Sequence, residues 1–119
     1  MKTIAESLAD LAVRPTGTKD LELAARMRTY ALDTLAVTLG GSTAPSSTAV
    51  ARTILSAAGK PEATVLGAGR LTSAWDAALA NGAFAHALEL DDDHRIAVLH
   101  PGAVVVPAAL AAAEAAHAS

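Results

Sequence analysis

The sequence predicts a mostly α-helical domain with about five helices and one short isolated strand. Hydrophobic residues make up 52% of the chain but aromatic residues only 3%, so the core must be built from alanine, leucine and valine. Side chains this small let helices approach closely, which favours packed helices over a β-sandwich rich in aromatic residues. The length of 119 residues is that of one small domain.

Capping signals predict the first two helices. Thr3 and Glu6 have the spacing of a capping box, which predicts a short helix that Pro15 closes. A long helix is predicted from about residue 19 to residue 39, where two glycines supply its C-cap. The apolar positions of this second helix follow helical spacing and are Ala24, Ala31, Leu32, Leu35 and Leu39.

A third helix and a strand are predicted in the middle of the chain. Pro45 and the serines around it start the helix, which Gly59 ends. The run ATVLG at residues 63–67 is the one plausible strand.

Two further helices complete the prediction. Ser73 and Asp76 form an N-cap pair, and the helix that follows is predicted to reach about Leu90. Gly82 within it indicates either a close backbone contact or a local irregularity. The last helix is predicted to start near residue 102 and to reach the final residue, because AALAAAEAAHAS contains no stop signal.

Composition excludes several classes of protein. A net charge of −3 provides no basic surface for nucleic acid. The absence of cysteine excludes disulfides and thiolate metal sites, and a cytoplasmic location is the default expectation. Acidic residues within the first ten argue against a signal peptide. Residues 96–113 carry no charge, but a histidine and two prolines interrupt them, so a buried helix is expected rather than a membrane span.

The chemical groups concentrate in ELDDDHRIAVLHPG, residues 89–102. Its four carboxylates lie at or just after the end of a predicted helix, where each opposes the helix dipole at a cost of about 0.3–1 kcal/mol when exposed. One interpretation is a solvated acidic turn, partly offset by His94 and Arg95. The other is a polar site in which a carboxylate orients a histidine that transfers protons.

Among the histidines, His100 is the better candidate for chemistry because the HPG turn holds it just before an apolar helix. His94 is expected to be exposed, His86 to lie within a helix and His117 near the chain end. Aspartate-rich loops can hold Mg²⁺ or Ca²⁺. However, the sequence has neither EF-hand spacing nor an HExxH motif, so no metal is expected.

The runs ANGAFAHALELDDDH and LHPGAVVVPAALAAAE resemble the N-terminal part of the MmgE/PrpD family. Members of that family include 2-methylcitrate dehydratase, cis-aconitate decarboxylase and iminodisuccinate epimerase. LDTLAVTLGG at 32–41 and ATVLGAGRLTSAWDAALANG at 63–82 extend the resemblance over nearly the whole chain. The resemblance implies a large helical domain joined to a smaller α/β domain, in a cytoplasmic homodimer. Residues 1–119 would be the opening part of the helical domain, truncated within its last helix.

The resemblance also implies site residues. The family pattern of acid, aromatic, two acids and threonine, followed by His-Pro, places catalytic roles on His100, Glu89 and Asp93. Supporting or substrate-binding roles fall on Asp91, Asp92, Asn81 and His94. Glu89 is one methylene longer than the family aspartate, and Leu90 replaces the aromatic residue. Asp93 replaces the neutral threonine, and its charge would repel a tricarboxylate.

The implied function is a lyase or isomerase that dehydrates, decarboxylates or epimerises a small di- or tricarboxylic acid without a cofactor. The family supplies lysines from later segments, so the 119-residue chain alone is expected to be inactive. Two alternatives remain: a non-catalytic helical module that self-associates or binds a partner, and a small metal-binding helical protein. Neither nucleic acid nor a membrane is expected as a partner.

Overall fold

The computed structural model describes residues 2–13 and 21–118. The predicted mostly helical class is confirmed: within these residues the chain forms five helices and one two-stranded sheet. The elements are α1 (Ile4–Ala12), α2 (Leu21–Gly41), α3 (Pro45–Ser56), β1 (Ala63–Val65), β2 (Arg70–Thr72), α4 (Ala74–His86) and α5 (Pro101–Ala115).

Helix α4 is the centre of the packing, with α2, α3, α5 and β1 around it. Its buried side chains are mostly alanines around Phe84, so its neighbours can come close. A β-carbon on Gly41 of α2 would overlap the carbonyl oxygen of Phe84. A β-carbon on Gly82 would lie 2.8 Å from the carbonyl oxygen of Ala103 in α5. Gly82 therefore makes the close backbone contact that its place in a helix predicts.

The buried face of α2 is built from threonines rather than from leucines. Thr34 and Thr38 are buried, and their hydroxyls donate to the carbonyls of Tyr30 (2.9 Å) and Thr34 (2.6 Å). Each hydroxyl is therefore satisfied within the helix itself, which allows it to be buried. Leu32 and Leu39, which the helical spacing selects, are 67% and 51% exposed.

The strand at 63–65 is not isolated, because it pairs antiparallel with β2. Gly67 and Gly69 adopt φ of 76° and 60° in the connecting turn, a conformation that glycine reaches without steric cost. Two helices hold the hairpin. Asn81 of α4 bonds its backbone twice, and Glu114 of α5 accepts from the amide (2.5 Å) and hydroxyl (3.0 Å) of Thr64.

Both predicted capping pairs are formed. The Glu6 amide donates to the hydroxyl of Thr3 (3.2 Å), and the Thr3 amide donates to the carboxylate of Glu6 (2.7 Å). At α4 the amide of Asp76 donates to the hydroxyl of Ser73 (3.2 Å). The predicted stop at Pro15 lies outside the described residues.

Three helix ends differ from the prediction. Helix α3 ends at Ser56 rather than at Gly59, and α4 ends at His86 rather than near Leu90. Helix α5 ends at Ala115, where the amide of Ala118 donates to the carbonyl of Ala113 (2.9 Å), so the prediction that it reaches the final residue is wrong. Left-handed residues follow each of these ends, namely Ala58, Glu89 and His117.

Helix α5 contains a buried proline, Pro107. Proline has no N–H, so the carbonyl of Ala103 lacks the helical hydrogen bond that residue 107 would otherwise give it. That carbonyl is the one that Gly82 approaches. Among the described helices, none combines the length and apolar character that crossing a membrane requires.

Candidate acid–imidazole site

A loop of fourteen residues, 87–100, connects α4 to α5 and folds back on itself. Glu89 has a φ of 50°, which turns the chain away from the axis of α4. Farther along, the amide of His94 donates to the carbonyl of Leu99 (2.9 Å), closing a small bridge. The loop thereby brings His86, the last residue of α4, close to His100, the residue before α5.

Three side chains meet there: His86, Asp91 and His100. The Nδ1 atom of His86 lies 3.0 Å and 3.2 Å from the two carboxylate oxygens of Asp91. The Nδ1 atom of His100 lies 3.4 Å from Oδ2 of Asp91, and the two imidazole centroids are 4.7 Å apart. One carboxylate therefore lies between two imidazoles.

The three groups differ in their access to solvent. The Asp91 side chain is 1% exposed, whereas those of His86 and His100 are 50% and 39% exposed. The Nδ1 atom of His100 is itself buried and has no hydrogen-bond partner. The exposed part of the His100 ring is therefore the part that faces away from Nδ1.

Both histidines border a cavity of about 420 Å³ between α4 and α5. The rest of its wall is apolar, formed by Ala78, Leu79, Gly82, Ala83, Ala103 and Val104. A small ligand in this cavity would meet the two imidazoles as its polar contacts and apolar side chains elsewhere. Such a combination, in which few polar groups orient a ligand within an apolar wall, is typical of small-molecule sites.

Asp92 holds the start of α5, where His100 is located. Its Oδ1 accepts from the amide of Gly102 (2.8 Å), so this carboxylate caps the first turn of α5. A β-carbon at residue 102 would overlap Asp92, which explains why a glycine stands there. Because His100 is the N-cap residue of α5, fixing this helix start fixes the base of its side chain.

The other predicted site residues lie apart from the three-residue cluster. Asp93 and His94 border a different cavity, of about 360 Å³, next to Tyr30. The Nδ1 atom of His94 accepts from the amide of Ala97 (3.1 Å), a contact within the loop. Glu89 is exposed on the turn after α4. Their catalytic or supporting roles stay predictions.

Asn81 is buried on another face of α4. Its Oδ1 accepts from the amide of Leu66 (2.8 Å), and its Nδ2 donates to the carbonyl of Thr64 (2.8 Å). In this structure the Asn81 amide therefore holds β1 against α4. A role for it in binding substrate stays a prediction.

The sequence analysis did not predict His86 as a site residue, because it was expected to lie within a helix. The signal was its position in the last turn of α4, just before the acids. A histidine there can offset both the negative end of the helix dipole and a nearby carboxylate. The five-residue separation from Asp91 becomes a contact only because the turn at Glu89 reverses the chain.

These features define a mostly helical domain whose acid–imidazole site lies between the end of one helix and the start of the next. The chain belongs to the MmgE/PrpD family: the family model described as the MmgE/PrpD N-terminal domain matches residues 3–119. The resemblance that the sequence motifs indicate is therefore confirmed.

A curated relative matches as well. The chain is 39% identical over 89 residues to a cis-aconitate decarboxylase-like protein of Aspergillus oryzae. The matched segment covers 75% of this chain but 18% of the relative, so less than a fifth of that protein is represented. No solved structure matches the chain.

Proposed function

We propose that this chain forms one wall of the active site of a lyase or isomerase that acts at the carbon next to a carboxylate of a small di- or tricarboxylic acid. The observation that carries the proposal is the placement of His100. Its Nδ1 faces the buried carboxylate of Asp91, while the rest of its ring borders the apolar cavity. Family membership and the decarboxylase-like relative support this class of reaction.

His100 would be the group that transfers the proton. If the ring proton is on Nδ1, on the side of Asp91, Nε2 carries the lone pair and can accept a proton. In dehydration or epimerisation, Nε2 takes the proton from the carbon next to the carboxylate, and the electron pair of that C–H bond moves toward the carboxylate. In dehydration, this pair then forms the carbon–carbon double bond as the hydroxyl on the neighbouring carbon takes up a proton and leaves as water. In epimerisation, a proton returns to the same carbon from its opposite face. In decarboxylation, the carbon that loses CO₂ takes a proton from the protonated ring.

Each of these reactions places negative charge on the substrate, which needs cationic or hydrogen-bonding partners. In the loop, Arg95 is the one lysine or arginine, beside four carboxylates. We therefore expect other parts of the enzyme to supply the cations, and we expect the 119-residue chain alone to be inactive. A cytoplasmic homodimer is part of the same proposal, drawn from the family resemblance.

The test starts with the intact mass of the protein as its source makes it, followed by assays of that protein against 2-methylcitrate, cis-aconitate and other di- and tricarboxylates. His100→Ala should lower kcat for the accepted substrate by about 10²–10⁴-fold, the usual contribution of a positioned acid or base. His117→Ala, at an exposed histidine beyond α5, is the matched control and should leave kcat unchanged. A loss below threefold for His100→Ala in a folded protein would show that this histidine is not the acid or base.

A second candidate function is a non-catalytic helical module that self-associates or binds a partner. It is favoured by large apolar side chains on the surface: Trp75, Ile96 and Val98 are 88%, 93% and 84% exposed. A protein of 11.9 kDa that persists in its source, forms a tight oligomer and responds to no substrate would support this function and overturn the enzymatic one.

A further inference from the structure

We infer that His86, Asp91 and His100 form a binding site for a divalent transition metal ion, for which Zn²⁺ is the probe. This site uses the same cluster as the proposed active site but does not depend on the reaction proposed there. Its ligand set is two imidazoles and one carboxylate, which suits zinc and its transition-metal neighbours rather than Mg²⁺ or Ca²⁺.

The separations between the donor atoms fit such an ion. Two ligand atoms at about 2.0–2.1 Å from a tetrahedral Zn²⁺ stand about 3.3 Å apart. In the structure, the Nδ1 atoms of His86 and His100 lie 3.2 Å and 3.4 Å from the same oxygen, Oδ2 of Asp91. One ligand atom from each residue can be chosen so that all three lie within 4.8 Å of one another.

A second observation is the state of the His100 Nδ1 atom. This nitrogen is buried without a hydrogen-bond partner, although buried polar atoms in proteins almost always have one. Its contact with Asp91, at 3.4 Å, is longer than a normal hydrogen bond. A metal ion between the two groups would satisfy this nitrogen and the carboxylate together.

The electrostatic surroundings favour a cation. The ion would lie at the C-terminal end of α4, which carries the negative end of that helix dipole. The carboxylate of Asp91 lies beside this helix end and contributes an oxygen ligand. His86 is half exposed, which gives the ion a route to the buried carboxylate. Three protein ligands leave the fourth position open for a water molecule or a substrate oxygen, as in zinc sites with a labile ligand.

Metal binding would prevent His100 from acting as the proposed base. A neutral imidazole has one N–H, so a metal on Nδ1 of His100 leaves the proton on Nε2. The nitrogen that faces the cavity then cannot accept a proton from substrate. Zn²⁺ is therefore expected to inhibit the enzyme by occupying its proton-transfer group, and a chelator should restore activity.

The experiment titrates the native protein, free of any histidine tag, with Zn²⁺ in competition with a chromophoric chelator. One ion should bind per chain, Co²⁺ in its place should give the intense visible absorption of tetrahedral coordination, and Mg²⁺ and Ca²⁺ should not bind. His86→Ala, Asp91→Asn and His100→Ala should each weaken Zn²⁺ binding by about tenfold or more, whereas His117→Ala should not. The absence of binding, or wild-type affinity in folded His86→Ala and His100→Ala, would overturn the site.

X-ray absorption of the wild-type zinc form needs no variant and keeps the test decisive if a variant fails to fold. A shell with two imidazoles supports the site, and a shell of oxygen ligands alone overturns it. Activity is measured separately. Zn²⁺ that binds through His100 without lowering turnover would count against His100 as the base in the proposed function and leave the metal site standing.

Discussion

Acidic groups lie at both ends of α4, but only those at the N-terminal end lie where the helix dipole favours them. There Asp76 and Ser73 cap each other, and Glu62 accepts from the amide of Ala74 (3.3 Å). At the C-terminal end, the buried Asp91 follows the helix and lies between two histidines. The first arrangement lowers the energy of the helix, whereas the second places a charge where the dipole opposes it.

One helix thus combines an end whose acids stabilise it with an end whose buried acid meets two imidazoles, which is where we propose that the chemistry takes place. A carboxylate at the C-terminal end costs stability unless a cation or hydrogen-bond donor accompanies it. His86 and His100 are the groups that accompany the Asp91 carboxylate, and both also border the cavity. If the two ends differ in this way, substitutions at the C-terminal end should change turnover, and substitutions at the N-terminal end should change stability.

The largest effect is expected from Asp91→Asn in the active protein. Asparagine has the same shape, but it removes the charge that directs the Nδ1 proton of His100, so kcat should fall by at least about tenfold and by up to about 10⁴-fold. The free energy of unfolding should change by less than about 1 kcal/mol, because the removed charge also opposed the dipole. Steady-state kinetics and urea denaturation measure the two quantities. A large stability loss with unchanged kcat would show that Asp91, at the C-terminal end of α4, has a structural role only.

The next effect concerns the packing that holds the C-terminal end in place. Gly41→Ala should lower the free energy of unfolding by about 1–3 kcal/mol, because the new β-carbon would overlap the backbone carbonyl of Phe84. Gly40→Ala is the matched control. Its β-carbon would meet Leu88 at 3.9 Å, so it should gain up to about 1 kcal/mol from helix propensity. Equal effects of the two changes in thermal melts would contradict the close approach of α2 and α4.

At the N-terminal end, Ser73→Ala should lower the free energy of unfolding by about 1 kcal/mol, because the amide of Asp76 loses its acceptor. Turnover in the active protein should stay the same, since this end lies away from the cluster. Ser56→Ala, at an exposed serine that ends α3, should change stability by less than about 0.5 kcal/mol. A drop in kcat for Ser73→Ala would contradict the expectation that the N-terminal end of α4 affects stability but not turnover.

The smallest effect is a pH dependence at the same end. The Lys60 ammonium, which donates to Glu62 at 2.8 Å, and the Ala74 amide hold the pKa of the Glu62 carboxyl below its usual 4.5. The stabilisation is therefore present above pH 4.5 and is lost as the pH falls through the lowered pKa of the folded state. Glu62→Gln should flatten this acid limb in melting curves between pH 6 and pH 3, relative to the wild type. An unchanged acid limb would show that Glu62 does not contribute.

Local signals predicted the fold better than they predicted the site. The pairs Thr3–Glu6 and Ser73–Asp76 form as their spacing predicts, because a cap depends on residues three positions apart. The strand β2 was missed, since its three residues become a strand only by pairing with β1. The burial of Thr34 and Thr38 in α2 was missed as well, because apolar periodicity does not select polar side chains whose hydroxyls bond within the helix.

That His100 lies near a carboxylate of the acidic loop could be predicted from the sequence, whereas the partnership with His86 could not. That partnership depends on the left-handed turn at Glu89 and on the packing of α5 against α4. Neither follows from periodicity or composition. Asn81 shows the opposite case, in which a residue of a recognisable motif makes structural hydrogen bonds to a strand.

The contact between Gly82 and the carbonyl of Ala103 defines the register in which α5 packs against α4. Pro107 removes the N–H that would have bonded this carbonyl, and Gly82 leaves the space into which it fits. Sliding α5 by one residue would shift it about 1.5 Å along its axis and turn it by about 100°. The carbonyl would then meet a side chain, and His100 would leave Asp91. Gly82 and Pro107, which carry no reactive group, therefore help to fix the distance between His86 and His100.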